Sequence, residues 1–217
     1  MIKDFDLLQR ANNDYTTIDL EHAEELAYRE LIDSIRYISL GDECGVMGNI
    51  ANIITYKGRF YIQEEQFDRV FIYDDTGRCL KKIDNKGRGP GEYLRIESID
   101  INTEKEELML VDGMSDKLFF YDLDGNFKSI HSIRYFQTEN TLCLRDSVFL
   151  HISAPSQNFG NEGLYGYALV LSKGNENFLK GYRYLPLQVG YKGGGQIFKG
   201  YERSCYHPIY SDTIYQI

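Results

Sequence analysis

At 217 residues, with 42% hydrophobic and 26% charged side chains, the chain can bury one substantial core and has an ordinary globular composition. Its net charge of −9, without basic clusters, excludes a surface built to track a phosphate backbone, so no nucleic-acid partner is expected. The longest apolar runs, such as Val70–Tyr73 and Tyr167–Leu171, are far too short to cross a bilayer, so no membrane-spanning segment is expected.

Met1 leads directly into Lys3, Asp4, Asp6 and Arg10, without the apolar stretch of a secretory signal. Taken literally, that start keeps the chain in the cytoplasm. Residues 1–34 read as an N-terminal extension, partly helical. Leu20–Ile35 is rich in Glu, Ala and Leu, and Leu26, Glu30 and Asp33 are spaced as on a short amphipathic helix. Ile35–Leu40 then alternates as a strand does.

Two later segments match each other without a gap, Phe60–Ile83 and Leu108–His131. Asp68 aligns with Asp116, Tyr73 with Tyr121, Asp74 with Asp122 and Gly77 with Gly125, always 48 positions apart. A period of that size belongs to propeller blades. With 18 Tyr and 12 Phe, the composition also favours strands. The first unit, 49–84, divides into Asn49–Tyr56, Arg59–Glu65, Arg69–Asp74 and Arg78–Asp84, with turns at Lys57-Gly58 and Thr76-Gly77. The second, 97–132, gives Glu97–Asn102, Glu107–Asp112, Lys117–Asp122 and Asn126–Ser132, with a turn at Asp124-Gly125. A looser third unit, 138–184, gives Thr138–Arg145, Ser147–Ser153, Tyr165–Ser172 and Asn177–Tyr184, with an insertion around Pro155 between its middle strands. In a fourth, 196–217, Asp212–Ile217 repeats the pattern of a third strand. The expected fold class is all-β: a β-propeller of four-stranded antiparallel blades, about four of them visible, with a short N-terminal helical extension. The fourth blade lacks one strand, which Ile35–Leu40 is placed to supply. That count permits a four-bladed ring and equally an arc of a larger one.

Between the first two units runs Gly87-Arg88-Gly89-Pro90-Gly91-Glu92-Tyr93. Three glycines allow unusual φ values and Pro90 fixes one, so this is a stiff crossing between blades. Arg88, Glu92 and Tyr93 are the candidate ligand-binding residues, read as projecting onto a propeller face. Arg88 offers a fork to an anionic group, and Glu92 either caps a turn or pairs with Arg88. Lys192-Gly193-Gly194-Gly195 lacks the residues of a phosphate-binding loop. His22, His131, His151 and His207 are scattered, and Cys205 with His207 supplies only two of the ligands a zinc site needs. No metal and no cofactor is expected. Asp74, Asp75, Asp122 and Asp124 sit beside turns, where Asp bonds local backbone. The four cysteines, Cys44, Cys79, Cys143 and Cys205, form no CxxC and are read as unpaired, mostly buried thiols.

Taken together, Ile32–Leu40, Gly87–Tyr93, Leu110-Val111-Asp112, Leu118–Tyr121 and Ser211–Tyr215 resemble the NHL-like six-bladed β-propeller family of gut anaerobes, over roughly residues 32–217. That resemblance implies export to the cell envelope or beyond, and no shared catalytic residues. The function expected is a non-catalytic propeller that binds a protein, glycan or peptide ligand through loops on one face. The alternative is an NHL-type propeller enzyme, a metal-dependent lyase or lactonase, which would need His or carboxylate side chains converging from several blades.

Overall fold

The computed structural model describes residues 32–133, 138, 140–145, 147–153, 164, 166–174, 177–180, 196–199, 204–207 and 214–216. The expected helical extension lies outside the described residues as far as residue 31, and residues 32–35 are not helical.

The first sheet joins β1 (Ile50–Tyr56), β2 (Arg59–Glu64), β3 (Arg69–Asp74) and β4 (Cys79–Ile83) in that order, each antiparallel to the next. The second joins β5 (Ser98–Asn102), β6 (Glu107–Asp112), β7 (Lys117–Asp122) and β8 (Phe127–Ser132) in the same way. The third consists of β9 (Asn140–Arg145), β10 (Val148–Ile152), β11 (Leu169–Lys173) and β12 (Asn177–Lys180). The described part of the fourth consists of β13 (Gln196–Lys199), β14 (Ser204–His207) and β15 (Tyr215–Gln216). Strand β5 lies beside both β1 and β9, so the first strand of each blade is the inner one. This is a β-propeller architecture.

Turn chemistry sets the registers. Lys57 and Gly58 both take positive φ, 48° and 70°, which closes Tyr56 onto Arg59 in a two-residue hairpin matching strand twist. At the next hairpin, Asp74 Oδ1 accepts from the amides of Thr76 (3.0 Å) and Arg78 (3.0 Å). Asp122 Oδ1 does the same for Asp124 (3.0 Å) and Asn126 (2.8 Å). Both carboxylates therefore bond local backbone, as their positions suggested. Asp124 instead crosses to the first blade and pairs with Arg59 at 2.7 Å.

Side chains alternate across each sheet, so each blade has one face toward its predecessor and one toward its successor. Tyr61, Val70, Ile72 and Ile83 meet Ile99, Ile101, Leu110, Phe119 and Tyr121 between the first and second blades. Met109, Val111, Leu118 and Phe120 meet Cys143 and Phe149 between the second and third. Leu142, Leu150, Ile152 and Leu171 meet Tyr206 of the fourth. Each fully buried Phe or Ile contributes about 1.5–3 kcal/mol, so the interfaces between blades form the core.

The expected strand at Ile35–Leu40 is absent. The segment has no ladder partner, and Tyr37 is 91% exposed. It passes instead over the β3–β4 turn of the first blade, where Arg36 donates to the carbonyl of Asp75 and Gly41 N donates to Gly77 O at 2.8 Å. A Cβ on Gly77 would lie 2.1 Å from Ser39 O, so only glycine admits this approach. From there residues 41–49 form a strap across the open face of the blade. Tyr73 donates to Gly41 O (3.1 Å), Glu65 N donates to Asn49 O (3.0 Å), and Cys44 and Met47 pack on Ile62, Phe71 and Tyr73. A disulfide joins Cys44 to Cys79, with Cα atoms 6.0 Å apart, which corrects the expectation of four unpaired thiols. The strap brings together two cysteines 35 positions apart, a proximity that only the tertiary fold creates. Cys143 and Cys205 remain outside any disulfide.

Candidate functional site

The Gly87–Tyr93 segment lies in the crossing from β4 to β5, on the same end of the blades as the β2–β3 and β6–β7 turns. Its backbone closes on itself. Tyr93 N donates to Asn85 O (3.1 Å), Gly87 N to Tyr93 O (2.9 Å) and Glu92 N to Gly89 O (3.1 Å). The carboxylate of Glu92 folds inward and accepts from Gly89 N at 2.7 Å. A Cβ at Gly87 would fall 2.0 Å from that carboxylate, so the glycine there makes room for the cap. Glu92 thus caps a turn and does not pair with Arg88.

Tyr93 does not project onto the face, contrary to the sequence reading. It is fully buried, edge-on to Phe119 with ring centroids 6.0 Å apart. Its hydroxyl donates to Asp68 O (2.8 Å) and accepts from Asn85 N (3.1 Å). Burial pushes the phenol far above its ordinary range. A large ring was needed to fill the gap between two blades, and a glycine-rich loop let it turn inward.

Arg88 is exposed at the tip of this closed loop and has no side-chain partner among the described residues. Its neighbours are committed elsewhere: Lys86 to Asp68, Arg95 to Glu97 at 3.3 Å. The loop is bolted to both blades, through Ile96 N to Asp68 Oδ1 (3.1 Å) and Leu94 N to Asp112 Oδ2 (2.7 Å).

Beside it, the β2–β3 turn holds out an aromatic ring that sequence reasoning did not single out. Phe67 is 51% exposed, and the Arg69 guanidinium lies 4.5 Å from its ring centroid. Buried Glu64 fixes Arg69 at 3.0 Å and caps the amides of Gln66 (3.1 Å) and Phe67 (3.3 Å). The equivalent residue of the second blade is Ser115, bonded to Asp112 at 2.7 Å. That substitution within the repeat is the one signal by which the ring could have been found.

His151, which the sequence offered only as one of four scattered histidines, takes a structural place. It is fully buried, with Nδ1 2.9 Å from Thr141 Oγ1 and Nε2 2.7 Å from Ser172 Oγ. Burial pushes the imidazole down to about 3, so it stays neutral and ties β9, β10 and β11 together. The Ser172–His151 spacing is that of a nucleophile and its base, but neither side chain reaches solvent. Among the described residues no three His, Cys, Asp or Glu side chains gather as a metal site would require, and no helix is long and apolar enough to cross a membrane.

The family model described as "Domain of unknown function (DUF4934)" matches residues 15–217. No curated protein matches the chain. Among solved structures, a protein of Bacteroides fragilis NCTC 9343, provisionally described as exported, is similar with a TM-score of 0.74 at 19% identity, over 85% of this chain and 52% of that one. A member of the DUF4221 family from Bacteroides vulgatus is similar with a TM-score of 0.50 at 11% identity, over 79% of this chain and 55% of that one. The WD40 repeats of RRP9 follow with a TM-score of 0.44 at 10% identity, over 61% and 38%. The chain spans about half the length of the first two solved proteins it matches.

Proposed function

The chain belongs to the DUF4934 family, and from that premise we propose that it is a non-catalytic binding module that captures an anionic group of a glycan or peptide at the end of the blades carrying Arg88. One observation carries the reading: a closed, doubly anchored loop places a guanidinium in solvent with no partner among the described residues. The backbone beneath the side chain is fixed, and the planar guanidinium can bond a carboxylate or sulfate through two donors at once, losing less freedom per hydrogen bond than an ammonium would. Phe67 on the adjacent turn gives a sugar ring or an apolar side chain a flat surface to rest on.

The site of action is outside the cytoplasm. Two observations support this: the Cys44–Cys79 disulfide, which persists in oxidising compartments, and the exported description of the Bacteroides fragilis structure.

Affinity measurement on arrays of acidic and neutral glycans and peptides tests the proposal. Arg88→Ala should weaken capture of the anionic ligands by about tenfold or more, the scale of one charge-assisted hydrogen bond, and leave the melting temperature unchanged. Equal affinity for wild type and variant, or no ligand on any array, would overturn it.

A further inference from the structure

The Gly87–Tyr93 crossing extends as far as the first residue of β8. A Cβ placed on Gly91 would have Cε1 and Cζ of Phe127 as its nearest neighbours, both at 3.9 Å, so the loop backbone lies beside that ring. Gly91 takes a φ of 82°, which a side chain would strain. Phe127 packs edge-on against buried Tyr121, with ring centroids 5.7 Å apart, and is still 45% exposed. Arg88 stands three positions from Gly91, in a loop turned back on itself where Glu92 N donates to Gly89 O at 3.1 Å. One loop therefore carries an exposed guanidinium and borders an exposed aromatic ring.

Neither feature repeats in the neighbouring blade. The position of Phe127 is held in the first blade by Cys79, which is bridged to Cys44, and the step from β8 to β9 takes only residues 133–139. Both features belong to the seam between the first and second blades, with a four-stranded sheet on either side. The pairing of ring and cation is particular to this seam and is not a demand of the blade.

The chemistry of the ligand follows from which groups are free. The amides of Gly87, Gly89, Leu94 and Ile96 already donate within the chain, so the loop has little main chain to offer a peptide. The edge of β8 is no better. Its register with β7 breaks between Phe120 and Tyr121, opposite Ser129 and Phe127, and Lys128 stands exposed at that break. What remains is recognition by side chains, through a flat apolar ring and a planar cation. A pyranose bearing an acidic group matches both: its axial C–H groups form an apolar face, and its carboxylate or sulfate takes two donors of the guanidinium. On the premise of anion capture at Arg88, we infer that the ligand is an acidic oligosaccharide, with a sugar ring on Phe127 and an anionic group of the same chain on Arg88.

Isothermal titration calorimetry of the full chain tests this with tetragalacturonate, a dextran sulfate oligosaccharide, the uncharged methyl ester of tetragalacturonate, and tetraglutamate, which carries the charge without sugar rings. At least one of the two acidic sugars should bind, and the tighter of them identifies the anion as carboxylate or sulfate. The ester and tetraglutamate should bind at least about tenfold more weakly. Phe127→Thr should weaken the acidic sugar about tenfold or more, through loss of the stacked apolar face, and Phe127→Tyr should retain it. Should Phe127→Thr fail to fold by near-ultraviolet circular dichroism, Phe127→Leu keeps apolar bulk without the flat ring and should show the same loss. Tetraglutamate binding as tightly as either acidic sugar, or undiminished sugar binding by the Phe127→Thr or Phe127→Leu protein, would overturn the sugar reading and leave anion capture standing. An ester as tightly bound as the acid, binding unchanged by Arg88→Ala, or no binding of any probe would overturn both.

Discussion

Breaking the Cys44–Cys79 disulfide should release the strap and cost more stability than any single change on the same surface. The bond closes a 35-residue separation. In the chain-entropy account the denatured ensemble regains about 13 cal/mol/K, or ~3.8 kcal/mol at 25 °C, when such a loop opens. If the strap also lifts from Ile62, Phe71 and Tyr73, lost burial adds to that figure at about 1.5–3 kcal/mol for each side chain fully uncovered. For a domain of this size about 1 kcal/mol moves the melting temperature by roughly 2–4 °C, so the expected fall is roughly 8–15 °C. Melting curves with and without dithiothreitol measure it in wild type, Cys44→Ser and Cys79→Ser. The two variants should match reduced wild type, and neither should respond to reductant. Thiol titration in denaturant gives an independent readout: unreduced protein should show two reactive thiols, Cys143 and Cys205, and reduced protein four. Four thiols without reductant, or a fall in melting temperature below about 2 °C, would refute the reasoning.

His151 makes stability depend on pH. Its native value of about 3 lies below the unfolded value of about 6.5, so the unfolded state binds the extra proton as pH falls. The stabilisation is complete above about pH 6.5 and is lost progressively toward pH 3, with ~2 kcal/mol gone by about pH 5. Urea unfolding across that range should show His151→Asn with a flatter pH dependence than wild type, and parallel curves would rule out this origin. Gly77→Ala should cost at least about 1 kcal/mol more than Gly58→Ala by urea midpoint. Both glycines have positive φ, 88° and 70°, but an added Cβ meets Ser39 O at 2.1 Å only at Gly77. Equal losses would mean that the strap does not press on the turn.

Strands β2, β3, β6 and β7 were legible to within a residue of their observed ends because each is apolar on both faces and bounded by a residue that turns the chain. Gly58, Gly77 and Gly125 marked hairpins that the backbone could close in only one way. The strap was not legible. Ile35–Leu40 alternates as well as any strand, but a strand also needs a partner with free backbone groups, and periodicity says nothing about where one lies. The disulfide left only a faint trace: Cys79 stands where the second blade has Phe127, an apolar-for-apolar exchange that favours a buried thiol as much as a bridge. Tyr93 was misplaced because glycine-rich loops usually lie on the surface, whereas this one folds an aromatic ring inward between two blades.

The crossing that holds Tyr93 separates what the fold requires from what the surface offers. From β4 to β5 the chain spends residues 84–97, fourteen in all, whereas from β8 to β9 it makes the equivalent step with residues 133–139, seven in all. Joining two blades therefore does not need the Gly87–Tyr93 insertion. Part of the excess serves the fold, since Tyr93 fills the seam between blades and Glu92 closes the turn. Arg88 serves neither end: it is exposed and makes no hydrogen bond or ion pair with another described side chain. A residue held in place by that much surrounding structure while contributing nothing to it is where a binding function is best sought, and this is why the ligand test turns on Arg88 rather than on Tyr93.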